Sequence, residues 1–137
     1  MRTISFLFVM FFSLYISAFS QNYEVFLYQK KGTPVYSERS NGEKEFTFFL
    51  KNMSEQKAQS FSNLFKGERG VNNVDFSKSD NGYKVTLTLY KYANTSRYYW
   101  FLLKRNHVSK ITTPEKSYLI DDYFDIHDKI KMKNLSN

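Results

Sequence analysis

The feature that most constrains the fold is a tight hairpin near the middle of the chain. Asn81-Gly82 supplies the positive φ angles that a two-residue turn between antiparallel strands requires. After the turn, residues 83–91 alternate strictly between apolar and polar positions. The two sets are Val85, Leu87 and Leu89 against Lys84, Thr86 and Thr88. This alternation predicts a strand with one buried face, preceded by a partner strand over residues 71–77.

A strand and a helix precede the hairpin. Residues 45–51 alternate, with one apolar face, and Asn52 or Ser54 then offers a side-chain acceptor that caps a helix. The helical pattern extends to about Lys66. Its apolar face consists of Ala58, Phe61, Leu64 and Phe65.

A second helix and a last strand follow the hairpin. Asn94 or Thr95 caps a helix over residues 96–105, and Asn106 is expected to stop it in the left-handed conformation. The order strand, helix, strand, strand, helix, strand over residues 45–113 predicts an α+β, ferredoxin-like βαββαβ sandwich. In that fold two helices cover one face of an antiparallel four-stranded sheet.

Further segments flank this predicted domain. Residues 21–44 hold a strand and a linker, and residues 114–137 form a C-terminal extension that is an amphipathic helix or an irregular flap. Residues 1–20 have an early cation, an apolar stretch and a small-residue ending, which is the pattern of a signal peptide cleaved near Ser20. A membrane anchor is the alternative, but the apolar run is short for one. We expect an exported protein, periplasmic or secreted, with no stable membrane span after cleavage.

The absence of cysteine and the net charge limit the covalent links that the chain can form and the partners that it can bind. The chain has no cysteine, so disulfides and a lipid anchor on an N-terminal cysteine are excluded. Its net charge of +7 is compatible with an acidic protein or an anionic envelope component as partner, although scattered lysines also serve solubility. Nucleic acid is not expected as a partner of an exported protein.

The junction between the first strand and the first helix resembles the heavy-metal-associated domain of copper chaperones and metal-pumping ATPases. In that family a strand ends in Met-x-Cys-x-x-Cys at the head of the helix. Met53-Ser54 matches the start of this motif, and Gly70-Val71 is similar to the family's entry into the next strand. The resemblance implies a ferredoxin-like fold over residues 45–113. Glu55 and Ala58 stand at the two cysteine positions, so the thiolate pair that binds Cu(I) is missing and metal carriage is not implied.

The sequence predicts no cofactor, no metal ligands and no catalytic residues. Asp121, Asp125 and Asp128 would share one face of a helix and could hold a hard cation, although a solvated acidic face is the ordinary interpretation. The chain has no nucleophile at a strained turn and no glycine-rich phosphate loop. We therefore expect a protein that is not an enzyme.

Consecutive aromatic residues in the second helix are the strongest indication of an interaction surface. Successive helical residues turn by about 100°, so the run Tyr98-Tyr99-Trp100-Phe101 encircles the helix and cannot all face one sheet. If Tyr98, Phe101, Leu102 and partly Tyr99 face inward, Trp100 points outward. The alternative is that a terminal segment folds over the helix and covers Trp100.

An outward Trp100 would lie between Arg97 and Lys104, which is the composition of a binding hot spot. Tyr90, Tyr92 and Phe49 are further candidates for an exposed aromatic surface. Together these residues favour a small exported binding module. A protease-propeptide-like inhibitor that acts through residues 114–137 is one alternative, and metal binding through ligands other than cysteine is another.

Overall fold

The structure is a computed structural model, and over the residues that it describes it is α+β with a mixed sheet of seven strands and three helices. It describes residues 22–29, 31, 34–80, 82–93 and 96–124. Several sequence predictions lie outside these residues: the signal peptide and its cleavage position, Asn81, the caps Asn94 and Thr95, and Asp125 and Asp128. None of the helices in the described ranges is both long enough and apolar enough to span a bilayer.

The helices and strands follow the predicted order, with additions at both ends. The strands are β1 (Tyr23–Phe26), β2 (Ser37–Glu38), β3 (Lys44–Leu50), β4 (Val71–Ser79), β5 (Gly82–Leu89), β6 (Val108–Thr112) and β7 (Ser117–Leu119). The helices are α1 (Glu55–Asn63), α2 (Ser96–Arg105) and α3 (Ile120–Tyr123).

The N-terminal strand occupies the middle of the sheet. The strand order is β4-β5-β3-β1-β6-β7, and β2 pairs with β3. β1 is antiparallel to β3 and parallel to β6. The expected four-stranded antiparallel sheet was therefore wrong in strand number and in direction, because β1 inserts between β3 and β6. With this insertion the arrangement fits a ferredoxin-like fold only loosely.

The hairpin between β4 and β5 is confirmed, but Gly82 belongs to β5 and not to the turn, where the sequence prediction placed it. Ser79 pairs with Gly82 in the ladder, and Gly82 has a φ of 111°. A side chain at Gly82 would also meet the carbonyl oxygen of Leu50, so the close approach of β3 adds a second reason for glycine. The alternation of β5 is present, although Thr88 on its polar face is buried.

The junction between β3 and α1 resolves the two capping alternatives. Ser54 is the N-cap, and its hydroxyl accepts a hydrogen bond of 3.2 Å from the backbone N–H of Lys57. Asn52 instead adopts a left-handed conformation with a φ of 57°. The cysteine-free loop thus starts a helix by ordinary capping.

Helix α1 ends earlier than predicted, at Asn63. The following amides bond to carbonyls three residues back, which tightens the last turn, and Leu64 consequently points away from the sheet with 46% of its surface exposed. Ser62 is buried in its place, since its hydroxyl donates to the carbonyl of Gln59. The buried residues of this segment are therefore Ala58, Phe61, Ser62 and Phe65. The prediction that Leu64 faces the core was wrong.

The stop after α2 also differs by one residue from the prediction. His107, with a φ of 65°, takes the left-handed position expected of Asn106. Asn106 is buried, and its side-chain amide donates to the carbonyl of Leu102 at 2.9 Å and to Glu68 at 3.3 Å. These bonds satisfy the polar group inside the protein and tie the end of α2 to the segment before β4.

One face of the sheet, the helix side, carries the core. Phe46 and Phe48 of β3 project from it, and the rings of Phe48 and Phe61 of α1 lie 6.2 Å apart. The Phe46 and Tyr99 rings lie 5.0 Å apart, which places α2 on the same side. The opposite face, the open side, includes Phe49, Thr47 and Lys84.

Tyr99 is buried with its hydroxyl oxygen lacking a hydrogen-bond partner among the described residues. Burial, and secondarily the nearby Tyr36, raises the pKa of Tyr99 above its ordinary value. We expect Tyr99→Phe to raise the free energy of unfolding by about 1 kcal/mol at pH 7, because it removes an unsatisfied buried group. Urea unfolding measures this change.

The same substitution should alter the response to alkali. The unfolded tyrosine ionises near pH 10 and the folded one only at higher pH, so the ionisation of Tyr99 lowers stability as the pH rises above about 10 and does not affect it below that pH. Tyr99→Phe should lose less stability between pH 9 and pH 11 than the wild type. Tyr92→Phe, altered at a residue that is 68% exposed, is the control that should leave both quantities unchanged. An unaltered alkaline slope in Tyr99→Phe would contradict the assignment.

Candidate functional site

Helix α2 packs on the sheet in a different phase from the predicted one. Tyr99, Leu102 and Leu103 are buried and Asn106 follows them at helical spacing. Phe101 was expected to face inward, but it points away from the sheet with 46% of its surface exposed. The pair Leu102-Leu103 sets this phase, since burial of both, together with Tyr99 three residues earlier, turns Phe101 outward.

Trp100 is half-buried. The C-terminal segment covers it, which was the alternative to an outward-pointing Trp100. The C-terminal extension forms β7 and α3, and α3 brings Asp121 against the outer side of α2. The indole N–H of Trp100 donates to a carboxylate oxygen of Asp121 at 2.6 Å. Lys104 donates to both oxygens of Asp121 at 3.0 Å and its ammonium lies 5.0 Å from the centre of the indole ring. Trp100 and Lys104 thus hold α3 in place.

Phe101 stands between two grooves on the outer surface of α2. One groove, of about 430 Å³, separates α2 from the loops before β4 and after β5. The other, of about 400 Å³, lies on the Trp100 side. Both grooves are lined by Phe101 and Arg105. We call the residues exposed around the larger groove the α2 surface: Arg69, Tyr92, Phe101 and Arg105.

The α2 surface combines aromatic rings with guanidinium groups. The Arg105 guanidinium lies 6.0 Å from the centre of the Phe101 ring and 3.5 Å from the mostly buried carboxylate of Glu68. Glu68 thereby fixes the position of Arg105 and offsets its charge. Arg69 is exposed on the opposite wall of the groove and keeps the surface cationic.

Tyr98 lies at the inner part of the same groove. Burial, followed by the negative charge of Glu68, raises the pKa of the Tyr98 hydroxyl above its ordinary value. The hydroxyl is protonated at neutral pH, as an ordinary tyrosine would also be, and does not add negative charge to the groove.

The predicted surface residues fall into three places. Tyr92 borders the groove and stacks on Tyr90, with ring centres 5.6 Å apart and planes 11° from parallel. Arg97 is exposed on the first turn of α2. Phe49 is separate, because it lies on the open side of the sheet, where Tyr28 packs edge-on against it at 4.6 Å.

The chemistry available around these residues is that of contact and charge. No group of three or more histidine, cysteine, aspartate or glutamate side chains is placed to hold a metal ion among the described residues. Asp121, one of the three acids weighed as cation ligands, bonds to Trp100 and Lys104. In the described part of the C-terminal extension, residues 117–119 lie in the sheet and residues 120–123 are helical.

In comparisons with known proteins, no family model, no curated protein and no solved structure matches this chain.

We expect Asp121→Ala to release α3 from α2. The free energy of unfolding should fall by about 1–2 kcal/mol, because the carboxylate accepts hydrogen bonds from an indole and an ammonium at a partly exposed position. Trp100 is the single tryptophan of the chain, so its fluorescence reports this contact directly. Its emission should move to longer wavelength as the indole gains contact with water.

Asp122→Ala is the matched control, since Asp122 is the exposed neighbour on the same short helix. It removes the same charge without touching Trp100. Identical emission spectra for Asp121→Ala and the wild type would show that the Trp100 contact does not hold in solution.

Proposed function

We propose that this protein is a small exported binding module without enzymatic activity, built on a ferredoxin-like scaffold that resembles the heavy-metal-associated domain without its cysteines. The observation that carries the proposal is the exposed ring of Phe101, which stands between two grooves and beneath an arginine. A large apolar side chain at that position adds nothing to the core. Its exposure is accounted for by a partner that covers it.

The composition of the α2 surface supports a protein partner. Aromatic residues and arginine are enriched where proteins bind one another, whereas lysine is depleted there. Phe101 and Tyr92 provide apolar area, and Arg69 provides planar donors that can bind a carboxylate through two hydrogen bonds. We therefore infer that the partner is an envelope protein that presents an acidic segment with at least one apolar side chain.

The ion pairing of the cations on and around α2 favours the same site. Lys104 is held by Asp121 of the same chain, so the Trp100 side of the helix serves internal packing. Arg69 is exposed at the larger groove. Arg97 is exposed on the first turn of α2. The surface next to Phe101 thus attracts an acidic partner more than the surface next to Trp100 does.

The test is crosslinked capture from the native cell envelope with matched variants. Phe101→Ala should lower recovery of the specific partner at least about tenfold, as expected for truncation of a hot-spot residue. Tyr28→Ala is the control, because Tyr28 is an aromatic residue of nearly equal exposure, 45%, but lies next to Phe49 on the open side. Equal loss in both variants, or in neither, would contradict a site at Phe101.

The charge of the partner is tested separately. Arg69→Glu should weaken binding of the captured partner more than Lys84→Glu, although both substitutions change the net charge by the same amount. Lys84 is exposed on the open side of the sheet and therefore reports the effect of net charge alone. Equal weakening would remove the acidic segment from the proposal and leave general electrostatic attraction.

Export is part of the proposal and rests on the signal-peptide pattern of residues 1–20. We expect the protein recovered outside the cytoplasm to begin at Gln21, and intact-mass measurement would show this directly. A chain recovered only in the cytoplasm with Met1 retained would contradict both export and an envelope partner.

A further inference from the structure

The two edges of the sheet are built differently. At one edge, β7 has only three residues, follows Pro114 closely and runs straight into α3. At the other edge, β4 has nine residues and no proline, and within the described part of the chain it pairs with β5 alone. Proteins usually shorten or interrupt edge strands, because free backbone N–H and C=O groups attract other strands. This protein does so at β7, whereas β4 has a register shift only near its start, between Val71 and Asn73, and then pairs regularly from Asn73 to Ser79.

The side chains of β4 do not repel an incoming strand. Asp75 and Lys78 are its only charged residues, so the strand is neutral although the whole chain carries a net charge of +7. Phe76 is half-buried on the helix side, where its ring stacks on Tyr83 with centres 5.5 Å apart. A strand added at this edge would cover the remaining surface of Phe76.

We propose that β4 is a self-association surface, at which a second copy of this chain adds its own β4 in antiparallel fashion. A two-fold axis between antiparallel strands places one residue opposite its own copy and keeps both helix layers on one side of the joined sheet. With the axis at Phe76, the two phenylalanine rings face each other and Asp75 faces Ser77. Aromatic pairs directly across two strands are stabilising.

Two other positions of the axis are unfavourable because they oppose like charges. An axis at Asp75 places the two carboxylates opposite each other, and an axis at Lys78 does the same with the two ammonium groups. With the axis at Phe76, Val74 faces Lys78 of the second copy, and no like charges are opposed. The aromatic pair at Phe76, formed without opposed like charges, favours a second copy as the occupant of the edge.

The proposed dimer is tested at the position where Val74 of one copy lies opposite Lys78 of the other. Val74→Glu places a carboxylate opposite each Lys78 and should tighten the dimer about fivefold, since two symmetry-related pairs are gained. Val74→Lys places two like charges there and should weaken the dimer by a similar factor. Both variants cost the monomer a similar loss of apolar contact, because Val74 pairs with Leu87 and the neighbouring positions on that face of β5, Val85 and Leu89, are uncharged.

Sedimentation equilibrium of the purified protein from about 1 μM to about 1 mM measures the dissociation constant, and circular dichroism of each variant checks its fold. A strand-edge interface is small, so the wild-type dimer is expected to dissociate in the upper micromolar range. Val74→Lys combined with Lys78→Glu should restore dimerisation, because the opposite charges then face each other in reversed positions. A wild-type chain that stays monomeric up to 1 mM, or equal dissociation constants for Val74→Glu and Val74→Lys, would overturn the proposal.

Discussion

The contacts of Phe46 and Phe48 determine the arrangement of the whole domain. Both rings project from β3 to the helix side, where Phe48 contacts Phe61 of α1 and Phe65 in the turn after it, and Phe46 contacts Tyr99 of α2. Since the two residues are adjacent on one face of a single strand, the helices that pack on them must lie on the same side of the sheet. The open side and the outward direction of α2 both follow from this placement.

Helix α2 has more aromatic surface than its contact with the sheet can bury. Tyr99 takes the inward position, and the remaining rings must be accommodated elsewhere. Trp100 is covered by α3 because the indole N–H needs an acceptor, which Asp121 provides. Phe101 has no polar group to satisfy and is left exposed beside Arg105. Phe101 is thus exposed because the sheet buries Tyr99 and α3 covers Trp100, while neither of them covers Phe101.

Local patterns in the sequence predicted the positions of helices and strands well. They predicted the pairing of the strands and the orientation of α2 less well. The Gly82 hairpin, the Ser54 cap and the bounds of α2 depend on neighbouring residues alone, and these predictions are confirmed. The insertion of β1 between β3 and β6 depends on residues far apart in the chain, so no local pattern indicated it. The phase of α2 could have been found from Leu102-Leu103, but the aromatic run gave Phe101 too much weight as a core residue. The guanidinium groups beside Phe101 come from separate segments that only the fold brings together.

The two proposed surfaces are compatible in geometry. A two-fold axis perpendicular to the sheet at Phe76 keeps the helix layers of both copies on one side, so both α2 surfaces would face the same direction. A partner that presents several acidic segments could then engage both copies at once. The second contact would form at a high effective concentration, which strengthens binding without any new type of contact. Weak pairing through β4 would therefore become significant when the partner is itself repeated or concentrated on a surface, and the exposed Phe101 would need only modest affinity at each site.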